Sequence, residues 1–87
     1  MQETLSNNTQ NRIILITGAT SGIGYALSEI YLKNGWIVIG LGRDETKIKK
    51  FFIDFPDSFY FYQIDLNSFQ NTNKIFEEIF SKFKNIN

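Results

Sequence analysis

The sequence predicts an α/β fold in which strands and helices alternate and the strands pair in a parallel sheet. Three short, almost entirely apolar runs recur along the 87 residues, and such runs suit strands that are buried on both faces of a parallel sheet. After each run, apolar residues return at helical spacing. Right-handed crossovers would then place the strands in the order 3-2-1.

The first strand is predicted from Arg12 to Thr17, and three glycines follow it closely, at Gly18, Gly22 and Gly24. Glycines allow the chain to turn tightly and bring its backbone against a phosphate, where a Cβ would collide. The helix that follows directs its free N–H groups and its positive dipole end at the same place. This layout indicates a nucleotide diphosphate site, although an ordinary strand–turn–helix junction also uses glycines.

The first helix is predicted from Ile23 to Asn34, and Gly35 suits a left-handed cap at its end. Four apolar side chains fall on one helical face, and we expect that face to pack on the sheet: Ile23, Leu27, Ile30 and Tyr31.

The second strand, Trp36 to Leu41, leads into Gly42-Arg43-Asp44. At this junction a doubly wound fold meets the adenosine ribose, and an acid there favours NAD. Gly42 falls at the expected acid position, and the Arg43 guanidinium next to it could bind a phosphate bidentately. We therefore expect NADP rather than NAD. Two alternatives stay open: Arg43 is a solvated loop charge, or Asp44 is the ribose acid in a register shifted by two.

A second helix is predicted from Glu45 to Asp54, with Asp44 as its N-cap and Pro56 supporting its stop. Its apolar stripe comprises Ile48, Phe51, Phe52 and Phe55.

The third strand, Phe59 to Ile64, is strongly aromatic. A third helix, capped by Asn67 or Ser68, should run from Phe69 to about Lys84, with one apolar side made of Phe69, Phe76, Ile79, Phe80 and Phe83.

Composition narrows the function classes. Nine basic and nine acidic side chains cancel, so nothing recommends nucleic acid or an anionic membrane as a partner. Cysteine and histidine are both absent, which excludes disulfides, thiolate metal sites and Ser-His or Cys-His catalytic pairs. No apolar stretch is long enough to cross a bilayer and no secretory signal is visible, so we expect a cytoplasmic protein.

Residues 1–11 are predicted to be a flexible polar leader, and residues 12–87 are predicted to form one domain.

The pattern Thr17-Gly18-x-x-x-Gly22-x-Gly24 resembles the short-chain dehydrogenase/reductase family, which holds the pyrophosphate of NAD or NADP with this loop. The resemblance implies the N-terminal half of a Rossmann fold. It also implies that Asp65 and Leu66, which follow the third strand, contact the adenine ring, although Asp65 could instead only cap or turn the chain. The implied cofactor-binding residues are Gly18, Thr20, Ser21, Gly22, Ile23, Gly24, Arg43, Asp65 and Leu66.

In that family a complete enzyme passes a hydride between the nicotinamide and a carbonyl or alcohol substrate, using a catalytic Ser and a Tyr-x-x-x-Lys pair. No tyrosine here has a lysine four residues on, and the Asn-Asn-Ala-Gly motif of the fourth strand is also missing. We therefore expect no catalytic residue in this chain, which would be a truncated cofactor-binding portion, inactive alone. Alternatives are a noncatalytic NADP-binding or regulatory module, an inert fragment, or a flavodoxin-like or other α/β nucleotide-binding fold.

The first strand would then lie at an open edge of the sheet, and its apolar, uncharged composition is one that proteins avoid there. We expect the isolated chain to be marginally stable and to associate through this strand edge.

Overall fold

The computed structural model describes residues 12–64 and 67–83, which form a parallel sheet with helices on its two faces. A 3₁₀ helix, Glu45–Ile48, precedes α2. The other elements in chain order are β1 (Ile13–Thr17), α1 (Gly22–Lys33), β2 (Ile37–Gly42), α2 (Lys49–Asp54), β3 (Phe59–Gln63) and α3 (Phe69–Lys82). The α/β class predicted from the sequence is confirmed. The predicted leader lies outside the described residues.

The three strands are parallel and lie in the order β1-β2-β3, as predicted. In the register, Ile13 is opposite Ile37 and Val38 is opposite Phe59. All residues of β2 except its first are buried, because this strand has a neighbour on each side and helices above and below. Within the described residues β1 pairs only with β2, and association through its other edge stays a prediction.

Two apolar clusters hold the helices on the sheet, because alternate residues of β2 point to opposite faces. On one face, Val38 packs with Leu32 of α1, Phe51 of α2 and Phe59 of β3. On the other face, the cluster comprises Ile13, Ile39, Leu41, Ile64, Ile79 and Phe83. A large apolar side chain buried in this way contributes about 1.5–3 kcal/mol.

The face of α1 that packs on the sheet is not the one predicted. Ile23, Leu27 and Ile30 are 80%, 42% and 55% exposed, whereas the buried positions are Gly24, Ser28 and Leu32. Tyr31, the fourth predicted member, is half-buried and packs against the cluster. The helix is turned by about one residue because Gly24, which has no side chain, faces the Gly18 carbonyl just after β1, so that the helix can begin close to the strand.

Two further expectations need correction. The predicted second helix divides into the 3₁₀ turn and the short α2, although its apolar stripe packs on the sheet as expected. Ile79 of α3 and Phe83, directly after the helix, are buried, but Phe80 is 57% exposed and stacks on Phe76 with 6.0 Å between the ring centroids. Position 80 lies about 100° around the helix from position 79, so the two cannot share a narrow contact face.

The predicted helix caps are present. Gly35 has a φ of +87°, and Asn34 donates its side-chain amide to the Ile30 carbonyl at 2.7 Å. Asp44 accepts from the Thr46 amide at 3.0 Å, and Ser68 accepts from the Asn71 amide at 3.3 Å. Across the described part of the chain, every helix is too short or too polar to span a membrane.

Candidate functional site

The loop between β1 and α1 is a tight turn built on Gly18. This residue has a φ of +67°, in the left-handed region that favours glycine. Its carbonyl oxygen accepts two hydrogen bonds, from the Ser21 amide at 3.1 Å and from the Ser21 hydroxyl at 2.9 Å. The Ala19 amide donates to the Leu41 carbonyl at 3.0 Å, which attaches the loop to the end of β2. The loop is therefore fixed at the carboxyl edge of the sheet.

Ser21 occupies the N-cap position of α1 but does not cap it. Serine is a preferred N-cap because its hydroxyl usually accepts a hydrogen bond from an amide of the first turn. Here the hydroxyl donates to Gly18 instead, and the side chain makes no capping hydrogen bond. The amides of Gly22, Ile23 and Gly24 thus lie in a first turn that has no carboxylate and no capping side chain.

The space in front of this turn is open. A Cβ added to Gly22 would meet nothing within 4 Å, and both Ser21 and Gly22 are exposed. Uncapped amides and the positive end of the helix dipole favour a negative charge at this position. The arrangement can hold the phosphates of a ligand.

Gly24 has a different role, because it packs against the turn rather than facing the open space. A Cβ at this position would overlap the Gly18 carbonyl oxygen and lie 3.2 Å from the Ala19 Cα. One turn later, the buried Ser28 hydroxyl donates to the Gly24 carbonyl at 2.8 Å. Only glycine allows the helix to start this close to the end of β1.

The ends of β2 and β3 lie beside the loop. The Ile64 amide donates to the Gly42 carbonyl at 2.9 Å, and the side-chain amide of Gln63 donates to the Arg43 carbonyl at 3.1 Å. Gly42 is buried against Thr20, whereas Arg43 is exposed. The arginine backbone is thus held in place while its guanidinium reaches solvent at the edge that also carries the glycine loop.

Asp44, the alternative ribose acid, takes part in a local cap. Its Oδ1 atom accepts from the hydroxyl of Thr46 at 2.5 Å and from the amide of Thr46 at 3.0 Å. These two hydrogen bonds lower the pKa of the Asp44 carboxyl below its ordinary value of 3.8. One of the two carboxylate oxygens of Asp44 is therefore engaged in the cap of the 3₁₀ helix.

Seven of the nine predicted site residues lie at one edge of the sheet: Gly18, Thr20, Ser21, Gly22, Ile23, Gly24 and Arg43. The other two, Asp65 and Leu66, lie outside the described residues. No signal in the sequence indicates the hydrogen bond from Gln63 to Arg43. The contact between Gly42 and Thr20 was not predicted either, although two glycines on one face of β2, at positions 40 and 42, could have suggested it.

Comparisons with known proteins identify the family. The family model described as short chain dehydrogenase matches residues 12–87. A serine 3-dehydrogenase from Rhizobium radiobacter is 34% identical over 73 residues, which cover 84% of this chain and 29% of the relative.

Two solved structures superpose on the chain with cofactors bound to them. A serine dehydrogenase complexed with NADP+ gives a TM-score of 0.65 at 27% identity, covering 72% of this chain and 25% of that one. A 4-hydroxyisoleucine dehydrogenase complexed with NADH gives 0.73 at 28% identity, covering 83% and 29%. The chain thus spans less than a third of the length of these relatives. It contains the β-α-β-α-β-α portion of the Rossmann fold and belongs to the short-chain dehydrogenase family of oxidoreductases.

Proposed function

We propose that the chain is the NADP-binding portion of a short-chain dehydrogenase that transfers a hydride between the nicotinamide and a carbonyl or alcohol carbon. The observation that carries the proposal is the uncapped first turn of α1, whose serine donates its hydroxyl to Gly18 and leaves the helix end open to an anion. In this proposal the backbone of the loop from Gly18 to Gly24, which includes Thr20 and Ser21, holds the diphosphate.

Arg43 is proposed to bind the 2′-phosphate of NADP. Its exposed guanidinium follows β2 directly, and its backbone is anchored by Gln63. A guanidinium provides a planar pair of donors for a phosphate, whereas the ribose of NAD would call for an acid at this position. Gly42 supplies no such acid, and one carboxylate oxygen of the nearby Asp44 accepts from Thr46. Asp65 and Leu66 are proposed to contact the adenine.

The bound nicotinamide would supply the hydride chemistry, and the residues of this chain would bind and orient the cofactor. No residue here is assigned to proton transfer, because the sequence has neither histidine nor a Tyr-x-x-x-Lys pair. The substrate is proposed to be a small molecule with a carbonyl or hydroxyl group, held by residues outside this chain. The serine 3-dehydrogenase and the NADP+ complex among its relatives support this choice of reaction and cofactor.

Calorimetric titration of the chain with NADP+, NAD+ and ADP-ribose tests the proposal. We expect saturable heat with all three ligands and the tightest binding with NADP+. ADP-ribose reports on the adenosine and diphosphate sites together, because it lacks only the nicotinamide and the 2′-phosphate. Absence of saturable heat with every ligand would contradict the nucleotide assignment, and equal affinity for NADP+ and NAD+ would contradict the role of Arg43.

A further inference from the structure

The side chain of Thr20 fills the space into which a side chain at position 42 would project. A Cβ built on Gly42 would lie 2.9 Å from the Thr20 Cγ2 and 3.1 Å from its Oγ1. Both distances are shorter than ordinary van der Waals contact between such atoms. The ring of Phe61, at 3.4 Å, borders the same space.

The contact is difficult to relax from either side. Gly42 is buried in the central strand and its carbonyl accepts from the Ile64 amide. Thr20 follows Ala19, whose amide is bound to the Leu41 carbonyl, so the loop cannot move away without losing that hydrogen bond. Threonine is also branched at Cβ, and no staggered rotamer withdraws both its methyl and its hydroxyl from one side.

We propose that Thr20 is a specificity-determining residue, because it occupies the place of a ribose-binding acid and thereby prevents an NAD-type site from forming at position 42. This inference rests on the proposed NADP function. Its consequence is that the preference for the 2′-phosphate depends on two features, the charge of Arg43 and the filled space at Gly42. Introducing an acid at position 42 alone should not produce NAD binding, since the carboxylate could not be seated.

A stability cycle tests the packing without any ligand. Gly42→Ala is measured in three backgrounds: the unchanged chain, Thr20→Ala and Thr20→Val. Valine keeps the volume of threonine and removes the hydroxyl, so it separates size from hydrogen bonding. We expect Gly42→Ala to lower the melting temperature by several degrees with threonine or valine at position 20 and to have little effect with alanine. An equal loss in all three backgrounds would overturn the inference.

A binding cycle tests the specificity itself. The ratio of NAD+ to NADP+ affinity is measured by calorimetry for the unchanged chain, Gly42→Asp, Thr20→Ala/Gly42→Asp and Thr20→Val/Gly42→Asp. We expect the Thr20→Ala double variant to shift this ratio toward NAD+ by about tenfold or more over Gly42→Asp, as a seated carboxylate gains hydrogen bonds from the ribose hydroxyls. The valine double variant should resemble Gly42→Asp.

The outcomes separate this inference from the proposed function. If Gly42→Asp alone shifts the ratio as much as the Thr20→Ala double variant, Thr20 does not control the site and the inference is wrong, although NADP binding stands. If the unchanged chain binds neither dinucleotide, the proposed function is contradicted and the specificity role falls with it.

Discussion

Gly24, in the first turn of α1, lies directly against the carbonyl group of Gly18, at the end of β1. A Cβ at position 24 would overlap the Gly18 oxygen and stand 2.7 Å from its carbonyl carbon. Both groups are backbone, so neither can swing aside as a side chain could. Gly22, two residues earlier, has open space around it. The glycines at 22 and 24 therefore have different surroundings: Gly22 borders open space, and Gly24 packs against the turn.

Gly24→Ala should destabilise the chain strongly. Forcing a methyl group into a packed backbone contact costs about 1–3 kcal/mol or more, and a domain of this size has little stability to lose. Chemical denaturation followed by circular dichroism measures the effect, and the larger Gly24→Val should abolish cofactor binding altogether. Unchanged stability and unchanged binding in both variants would show that the close contact does not exist.

Gly22→Ala is the matched control for Gly24. Its added methyl group meets no neighbour, so we expect the free energy of unfolding to change by no more than about 0.5 kcal/mol. The same methyl group would project into the space proposed for the diphosphate, and affinity for ADP-ribose should fall. If Gly22→Ala bound ADP-ribose as tightly as the unchanged chain, the diphosphate could not lie at this position.

Arg43→Ala should weaken NADP+ binding by about ten- to a hundredfold, because charge-assisted hydrogen bonds contribute roughly 1.5–3 kcal/mol. NAD+ binding should change little, since NAD+ has no 2′-phosphate. Calorimetry with the two dinucleotides measures both effects. Lys33→Ala is the control: Lys33 is an exposed cation at the far end of α1, 3.5 Å from Glu29. If Arg43→Ala weakened the binding of NADP+ and NAD+ equally, Arg43 would not recognise the 2′-phosphate.

The two faces of α1 predict opposite mutational sensitivities. Leu32 is 3% exposed, and Leu32→Ala should cost about 2–5 kcal/mol through loss of burial and the cavity left behind. Ile23 is 80% exposed, and Ile23→Gln should change stability by less than about 0.5 kcal/mol. Denaturant titration of the two variants shows which face of α1 is buried. A large loss with Ile23→Gln would indicate that this side chain is buried in solution.

The cap at Asp44 predicts a pH dependence of stability. Hydrogen bonds from Thr46 lower the pKa of this carboxyl in the folded chain, so the folded state binds a proton less readily than the unfolded state. The stabilisation is present above the unfolded value of 3.8 and is lost as the pH falls below it through the folded pKa. Asp44→Asn keeps an acceptor for the cap but does not titrate. Melting temperatures measured through this range should fall more steeply for the unchanged chain than for Asp44→Asn.

Much of the architecture follows from local patterns in the sequence. The apolar runs place all three strands, because strands of a parallel sheet with helices on both faces carry apolar side chains on both sides. The caps at Gly35, Asp44 and Ser68 follow equally well, because each depends on one residue type and its immediate neighbours. The glycine loop and Arg43 could be assigned to one site because parallel strands end at the same edge of a sheet.

The parts that could not be predicted depend on contacts between distant residues. Helical spacing placed Ile23, Leu27 and Ile30 on an apolar face, but the contact face is set by the need of Gly24 to meet Gly18. The packing of Thr20 on Gly42 likewise depends on the distance between a loop and a strand that lie about twenty residues apart in sequence. Hydrophobic spacing is a property of one helix and contains no information on either distance.

The most direct test of the central claim is an NMR titration of the ¹⁵N-labelled chain with NADP+, followed through the backbone amide signals. We expect the largest chemical-shift changes at the amides from Thr20 to Gly24 and at Arg43, and a smaller change at Arg43 when ADP-ribose replaces NADP+. Amide signals of the glycine loop that stay unshifted at millimolar NADP+, in a spectrum that shows a folded chain, would contradict it.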